Sequence, residues 1–251
     1  MSPLWYPHVK EAPLQGLTGM WGGVGSNLVA GGSAVPDGDY TAGAFMIWDP
    51  SELGYTEGQG TISDISGNSR TGALNNQLDQ YWQSDNYGVF NNTSPRTGYI
   101  SNNQGSCSIP FTLELWAKPQ TTGNEGLWDT APNQVDTGRQ NPGGKAEWWN
   151  QNPNIDMSMQ ANTWAHWCVT YKWNNNDGST RRIVVYKNGQ EIGATSGGQD
   201  NSFVWDTYCI GTYNYSSPWG GHIGVTAVYN SELSTAQVQA NYNARKHRYG
   251  L

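Results

Sequence analysis

Residues 111–118 alternate apolar and polar side chains, with Phe111, Leu113, Leu115 and Ala117 on one face. This is the period-two signature of a half-buried strand. Residues 164–171 repeat it with Ala165, Trp167, Val169 and Tyr171. Residues 182–186 form a β-branched run, and Asn188-Gly189 follows at once. Both central positions of a type I′ hairpin turn need positive φ, which Asn and Gly tolerate best, so a hairpin is predicted there. Residues 174–178, Asn174 to Gly178, read as a longer turn joining the two preceding strands, and residues 203–210 and 223–229 complete a series of short strands. A single helix is predicted, near the carboxyl end. Ser234 and Gln237 have capping-box spacing, and Leu233 and Val238 form the matching hydrophobic staple. The helix is expected to end near Arg245.

Residues 1–43 break the pattern. Seven glycines between Gly19 and Gly38 interleave with Met20, Trp21, Val24, Leu28 and Val29, and Trp5 lies further upstream. Each glycine costs ~1 kcal/mol in a helix interior, which excludes a regular helix. The apolar content is too high for a solvated linker. Two readings fit: an extended arm that orders against a partner through Trp5, Met20, Trp21 and Leu28, or an irregular edge of the domain at 44–251.

Composition narrows the function classes. Only 13% of the 251 residues are charged, and 32 glycines and 12 prolines supply many turns. A net charge of −7, with no Lys/Arg cluster beyond Arg181-Arg182 and the Arg245, Lys246, Arg248 group, argues against nucleic acid and anionic membranes. There are 13 tryptophans and 14 tyrosines against 4 phenylalanines, aromatics that suit half-wet surfaces and interfaces. Cys107, Cys168 and Cys209 are widely spaced, so buried free thiols are expected, with a Cys168–Cys209 disulfide as the alternative. Met1 to Gly16 lacks a basic segment followed by an apolar core, so no signal peptide is expected. No run of 18 apolar residues occurs, so no membrane span is expected.

Several segments, in order, resemble the laminin-G-like/concanavalin A-like jelly-roll family. They are Asp64-Ile65-Ser66-Gly67-Asn68 with the Gly72-Ala73-Leu74 strand, Phe111-Thr112 through Trp116-Ala117-Lys118-Pro119, residues 164–171 with Tyr186-Lys187-Asn188-Gly189, and Tyr229 to Asn243. The resemblance covers residues ~45–249 and implies an all-β, two-sheet antiparallel jelly-roll sandwich with one short C-terminal helix and an extended N-terminal arm. Trp48-Asp49-Pro50, Gly58-Gln59-Gly60 and residues 241–250 are similar to versions in structural proteins of tailed phages, marine ones especially. That second resemblance implies a virion protein made in the host cytoplasm and placed on the capsid or tail.

Catalytic constellations do not emerge. A Glu-x-Asp-x-x-Glu strand, which sets two carboxylates about 5–5.5 Å apart for retaining glycoside hydrolysis, does not occur. The four histidines (His8, His166, His222, His247) stand singly, and neither a nucleophile elbow nor a phosphate loop appears. No enzyme activity and no cofactor are expected. Asp64, Ser66 and Asn68 offer alternating oxygen donors for calcium, but three donors fall short of the usual six to eight, so an Asx turn is the favoured expectation. For a glycan platform the best candidates are Trp149 with Asn150, then Trp128, Tyr215 and Trp219, although packing competes for each tryptophan. The leading expectation is a phage virion structural protein anchored by residues 1–43, with other virion proteins and further copies of itself as partners. The alternative is a carbohydrate-binding module for host-surface glycans.

Overall fold

Two antiparallel sheets of eight strands each share one apolar core. The computed structural model describes residues 43–51, 58–75, 82–83, 89–92, 98–103, 105, 107–108, 110–121, 125–129, 138–141, 145–148, 155–157, 159–173, 181–197, 204–205, 208–213 and 217–251. The expected arm (residues 1–43, with Trp5, Met20, Trp21 and Leu28) lies outside the described residues except for Gly43, and so does the turn at 174–178.

The first sheet contains β1 (Ala44–Trp48), β2 (Trp82–Gln83), β3 (Val89–Asn92), β4 (Phe111–Pro119), β5 (Ala165–Trp173), β6 (Arg181–Lys187), β7 (Gln190–Gly197) and β8 (Gly221–Tyr229). Their order is β7-β6-β5-β4-β8-β3-β2, with β1 also pairing β8. The second sheet runs Ile155–Asp156, Lys145–Trp148, Gly138–Asn141, Glu125–Asp129, Tyr208–Ile210, Tyr99–Asn102, Gly72–Asn75 and Thr61–Ile62. The described residues thus form a jelly-roll sandwich with one α-helix among them, α1 (Thr235–Arg245), continued by a short 3-10 turn, Lys246–Tyr249.

The predicted alternation sets the register. Leu113, Leu115 and Ala117 of β4 pair with Val169, Trp167 and Ala165 of β5, and all six enter the core between the sheets. The hairpin between β6 and β7 turns at Asn188 (φ 51°) and Gly189 (φ 78°), the left-handed pair that type I′ demands. Residues 203–210 are not one strand. Val204–Trp205 pairs with Cys107–Ser108, and Tyr208–Ile210 belongs to the second sheet.

The Asp64 turn closes the free edge of β1. Asp64 Oδ1 accepts from the N–H groups of Ile47 and Ser66, both at 2.9 Å. Its Oδ2 accepts from Ser66 Oγ and Arg70 N–H, also at 2.9 Å. Asn68 Nδ2 donates to the Ala44 and Phe45 carbonyls at 2.9 and 3.2 Å. The turn therefore satisfies backbone groups that an exposed edge would present to other chains. Both Asp64 carboxylate oxygens and the Ser66 hydroxyl take part in this clamp.

Trp48-Asp49-Pro50 and the carboxyl-terminal segment meet inside the fold. Trp48 is buried and donates through Nε1 to the Arg70 carbonyl at 2.8 Å. Asp49 binds Arg248 at 2.6 Å across 199 residues of sequence. Tyr249 lies flat on Gly224, where a Cβ would come within 2.4 Å of its hydroxyl. That hydroxyl accepts the Val225 N–H at 3.0 Å, within the stretch where the β8 ladder shifts register. Trp-Asp-Pro and the carboxyl-terminal sequence thus form two halves of one closure.

Candidate functional site

Helix α1 lies on the outer face of the first sheet because its sequence supplies both a start and a floor. Ser234 caps it in a capping box with Gln237. Leu233 and Val238 are buried in a second apolar cluster with Trp116, Cys168, Val184, Tyr186, Val225 and Tyr229. Beneath the helix sits a polar network. Glu114 is 1% exposed and His166 0%. Glu114 accepts from Asn241 Nδ2 at 2.6 Å, meets His166 Nε2 at 3.3 Å and Arg245 Nη1 at 3.6 Å. Asn241 also donates to the Tyr229 hydroxyl at 3.0 Å.

Burial alone would push the Glu114 carboxyl up, but His166, Arg245 and Asn241 together outweigh it and hold the group below its ordinary value. This network ties the helix to the sheet and is closed to solvent.

Solvent reaches the outer face where the helix begins. A groove of about 400 Å³ is lined by Lys172 of β5, Val184 and Tyr186 of β6, Glu191 of β7, and Glu232, Leu233, Ser234, Thr235 and Gln237 at the helix entry. Its size is that of a small-molecule site. Lys172 Nζ and Glu232 Oε1 lie 2.9 Å apart, each side chain about one-third exposed. The Tyr186 hydroxyl lies 3.3 Å from Thr235 Oγ1. Burial pushes the Tyr186 phenol up, and the carboxylates of Glu191 and Glu232 add to this against the Thr235 hydrogen bond. The phenol therefore stays protonated at neutral pH. The groove combines a buried ring, two carboxylates, an ammonium, two hydroxyls and an amide.

The tryptophans singled out from sequence divide differently. Trp219 is 0% exposed and belongs to the core between the sheets, and Trp128 is buried beside it. Trp219 is pinned at Gly220-Gly221, where a Cβ on Gly221 would meet its Nε1 at 2.9 Å, so it presents no platform to a sugar. Trp149, Asn150 and Tyr215 lie outside the described residues. Trp48, Trp116, Trp128, Trp167 and Trp219 are all among the largest fully buried side chains, so much of the tryptophan content fills the sandwich. The three cysteines are buried and free. Burial pushes the Cys107 thiol up to about 12, and it lies 3.1 Å from Asn230 Oδ1. Sequence reasoning missed the groove because its residues come from four separate segments. The capping box was the one part of it visible beforehand.

Residues 91–239, more than half of the chain, match the family model described as the concanavalin A-like lectin/glucanases superfamily. Among solved structures, the fold is similar to the botulinum neurotoxin serotype D binding domain (TM-score 0.58, 14% identity, 82% of this chain and 52% of that one). It is also similar to the botulinum neurotoxin type G receptor-binding domain (TM-score 0.54, 14% identity, 81% and 52%). The chain spans about half the length of these toxin domains. Domain 4 of AbnA, a GH43 extracellular arabinanase from Geobacillus stearothermophilus, solved with arabinotriose, is matched over its whole length (TM-score 0.52, 16% identity, 80% and 100%). No curated protein sequence matches the chain. Among the described residues, no helix is long and apolar enough to cross a membrane.

Proposed function

The chain belongs to the concanavalin A-like lectin/glucanase superfamily, and on that premise we propose that it is a non-catalytic saccharide-recognition domain whose binding site is the groove at the start of α1. The observation that carries this reading is the groove's lining. Glu191, Glu232, Gln237 and the Thr235 hydroxyl offer acceptors and donors to sugar hydroxyls beside the ring of Tyr186. Support for a non-catalytic role comes from the carboxylates. Glycoside hydrolysis asks one carboxyl to stay protonated as the acid, whereas Glu232 is ion-paired to Lys172 and Glu191 is exposed. Glu114, the buried carboxylate of this face, is covered by the helix and held in its ionised form.

The test is a glycan array probed with the full chain, with arabinotriose, the ligand seen with the AbnA domain, included as one probe. Retention of a defined saccharide set without release of reducing sugar is expected. Cleavage of any retained saccharide, or an empty array, overturns the reading.

A second proposal concerns where the domain is displayed. What favours a phage particle is the Gly-rich, apolar composition of residues 1–43, which suits an anchoring arm on a capsid or tail neighbour. Deleting residues 1–43 is expected to abolish incorporation into particles, and undiminished incorporation would refute the anchor.

A further inference from the structure

At the end of the outer face opposite the groove, the strand register lines up three outward side chains. Ala165 pairs with Ala117 and Lys118 pairs with His222, so Trp164, just before β5, continues a cross-strand row with Lys118 of β4 and His222 of β8. All three are half-buried, neither sealed under the helix nor fully in solvent. The Trp164 and His222 rings meet edge-on at 6.0 Å, and Lys118 Nζ lies 5.5 Å from the centre of the Trp164 ring. Trp164 rests in turn on Tyr249 (4.6 Å), which stacks on Trp116 (4.3 Å), which stacks on Tyr242 (5.8 Å). Lys246 Nζ lies 5.5 Å from the centre of the Tyr242 ring.

The cations of this region fall into two sets. Arg245 faces Glu114 and Arg248 binds Asp49, so their charges are matched by buried carboxylates. Lys118 and Lys246 have no carboxylate partner among the described residues, and each sits over an aromatic ring. In a chain of net charge −7, these two ammonium groups stand out among the described residues. An ammonium over a ring keeps N–H donors for an anion, and Trp164 remains part-exposed beside it.

We propose that the Trp164–Lys118–His222 row is a second binding site, for a saccharide bearing a carboxylate, with the apolar face of the sugar ring against Trp164 and its carboxylate toward Lys118 and His222. A sugar ring carries C–H groups on one face, which match an aromatic surface, and a uronate adds the anion that the unmatched lysine lacks. This site does not depend on the groove. The nearest groove residue in register, Tyr186, pairs with Cys168, four residues or roughly 13 Å along the strand direction from Trp164 at ~3.3 Å per residue, and no residue lines both sites, so the two readings can fail separately.

The experiment is titration of the full chain with tri-galacturonate, with maltotriose and inorganic phosphate as controls, for the wild type and for K118M, W164F, W164A and the groove variant T235V. Tri-galacturonate is expected to bind the wild type, about tenfold more weakly to K118M, with W164A weaker still and W164F restoring most of the affinity. T235V is expected to bind it as the wild type does. K118M keeps the apolar stem on Trp164, so its fold is preserved even if W164A loses stability. Absence of tri-galacturonate binding overturns the proposal. So does equal affinity for phosphate with no effect of W164F or W164A, which would mark a bare cation site. Loss of tri-galacturonate binding in T235V alone would move the ligand to the groove and refute the row.

Discussion

The two faces of β4 put one strand into two kinds of interior. Leu113, Leu115 and Ala117 point inward to an apolar core shared with the second sheet. Thr112, Glu114 and Trp116 point outward, and they too are buried, because α1 and the closing 3-10 turn cover them. On the inner face burial removes apolar surface from water, and shape alone has to be satisfied. On the outer face it encloses a carboxylate, an imidazole and a guanidinium, so charge must be balanced as well as volume. The inner face is sealed by a sheet. Among the described residues, the outer is covered by α1 and the 3-10 turn, and the groove and the aromatic row lie at the margins of that cover. Both proposed recognition sites lie at the margins of the weaker cover.

That contrast can be broken most severely at Glu114. Glu114→Ala leaves His166, Arg245 and Asn241 buried without their shared acceptor, and a loss of about 3–5 kcal/mol is expected, typical of halving a buried ion pair. Denaturant unfolding measures it. Leu115→Ala, one residue away and facing inward, is expected to cost about 2–5 kcal/mol by leaving a cavity.

Although the two losses overlap in size, acid separates them. The Glu114 carboxyl is held below its ordinary value when folded, so its contribution is complete above the unfolded pKa, about 4.3. It disappears as pH falls through the lower folded value. Wild type and L115A should lose stability in parallel below about pH 4, whereas Glu114→Gln should show a flatter acid limb. Equal acid slopes for all three would place the acid sensitivity elsewhere.

A smaller effect is expected at the groove. Thr235→Val removes the hydroxyl beside Tyr186 and should weaken a groove-bound saccharide about three- to tenfold, in line with one lost hydrogen bond of ~1 kcal/mol. Calorimetric titration reads it, with little change in unfolding midpoint. The smallest change concerns Cys107, whose thiol is pushed up to about 12 by burial. It should resist iodoacetamide at pH 8 in the native state and react on unfolding, since the thiolate is the nucleophile.

The same contrast explains what the sequence disclosed. The inner face was legible because apolar residues on one face of a strand recur with period two, and Phe111 to Ala117 does so even though its other face is covered as well. The hairpin at Asn188-Gly189 and the cap at Ser234 were legible because each demands particular residues at fixed spacing. Glu114 carried no local sign of its burial, since its partners lie 52, 127 and 131 positions away and nothing nearby in sequence announces the helix that covers it. Trp219 stood as a platform candidate, with packing as the competing reading, because aromatic residues beside glycine, proline and serine suit loops; in three dimensions the ring lies in the core against Gly221. The Asp64 turn was recognised as a turn, but its clamp on β1 depends on contacts with residues 44–47. The groove is assembled from β5, β6, β7 and the helix entry, a juxtaposition that only the fold creates.

The central claim is that saccharide recognition sits at the start of α1. Hydrogen exchange of the full chain, with and without the saccharide retained most strongly on the array, tests it most directly. The account predicts slowed exchange at residues 184–192 and 232–237 on binding, with the inner strands unchanged. Protection confined to other segments, with those two ranges unaffected, would contradict it.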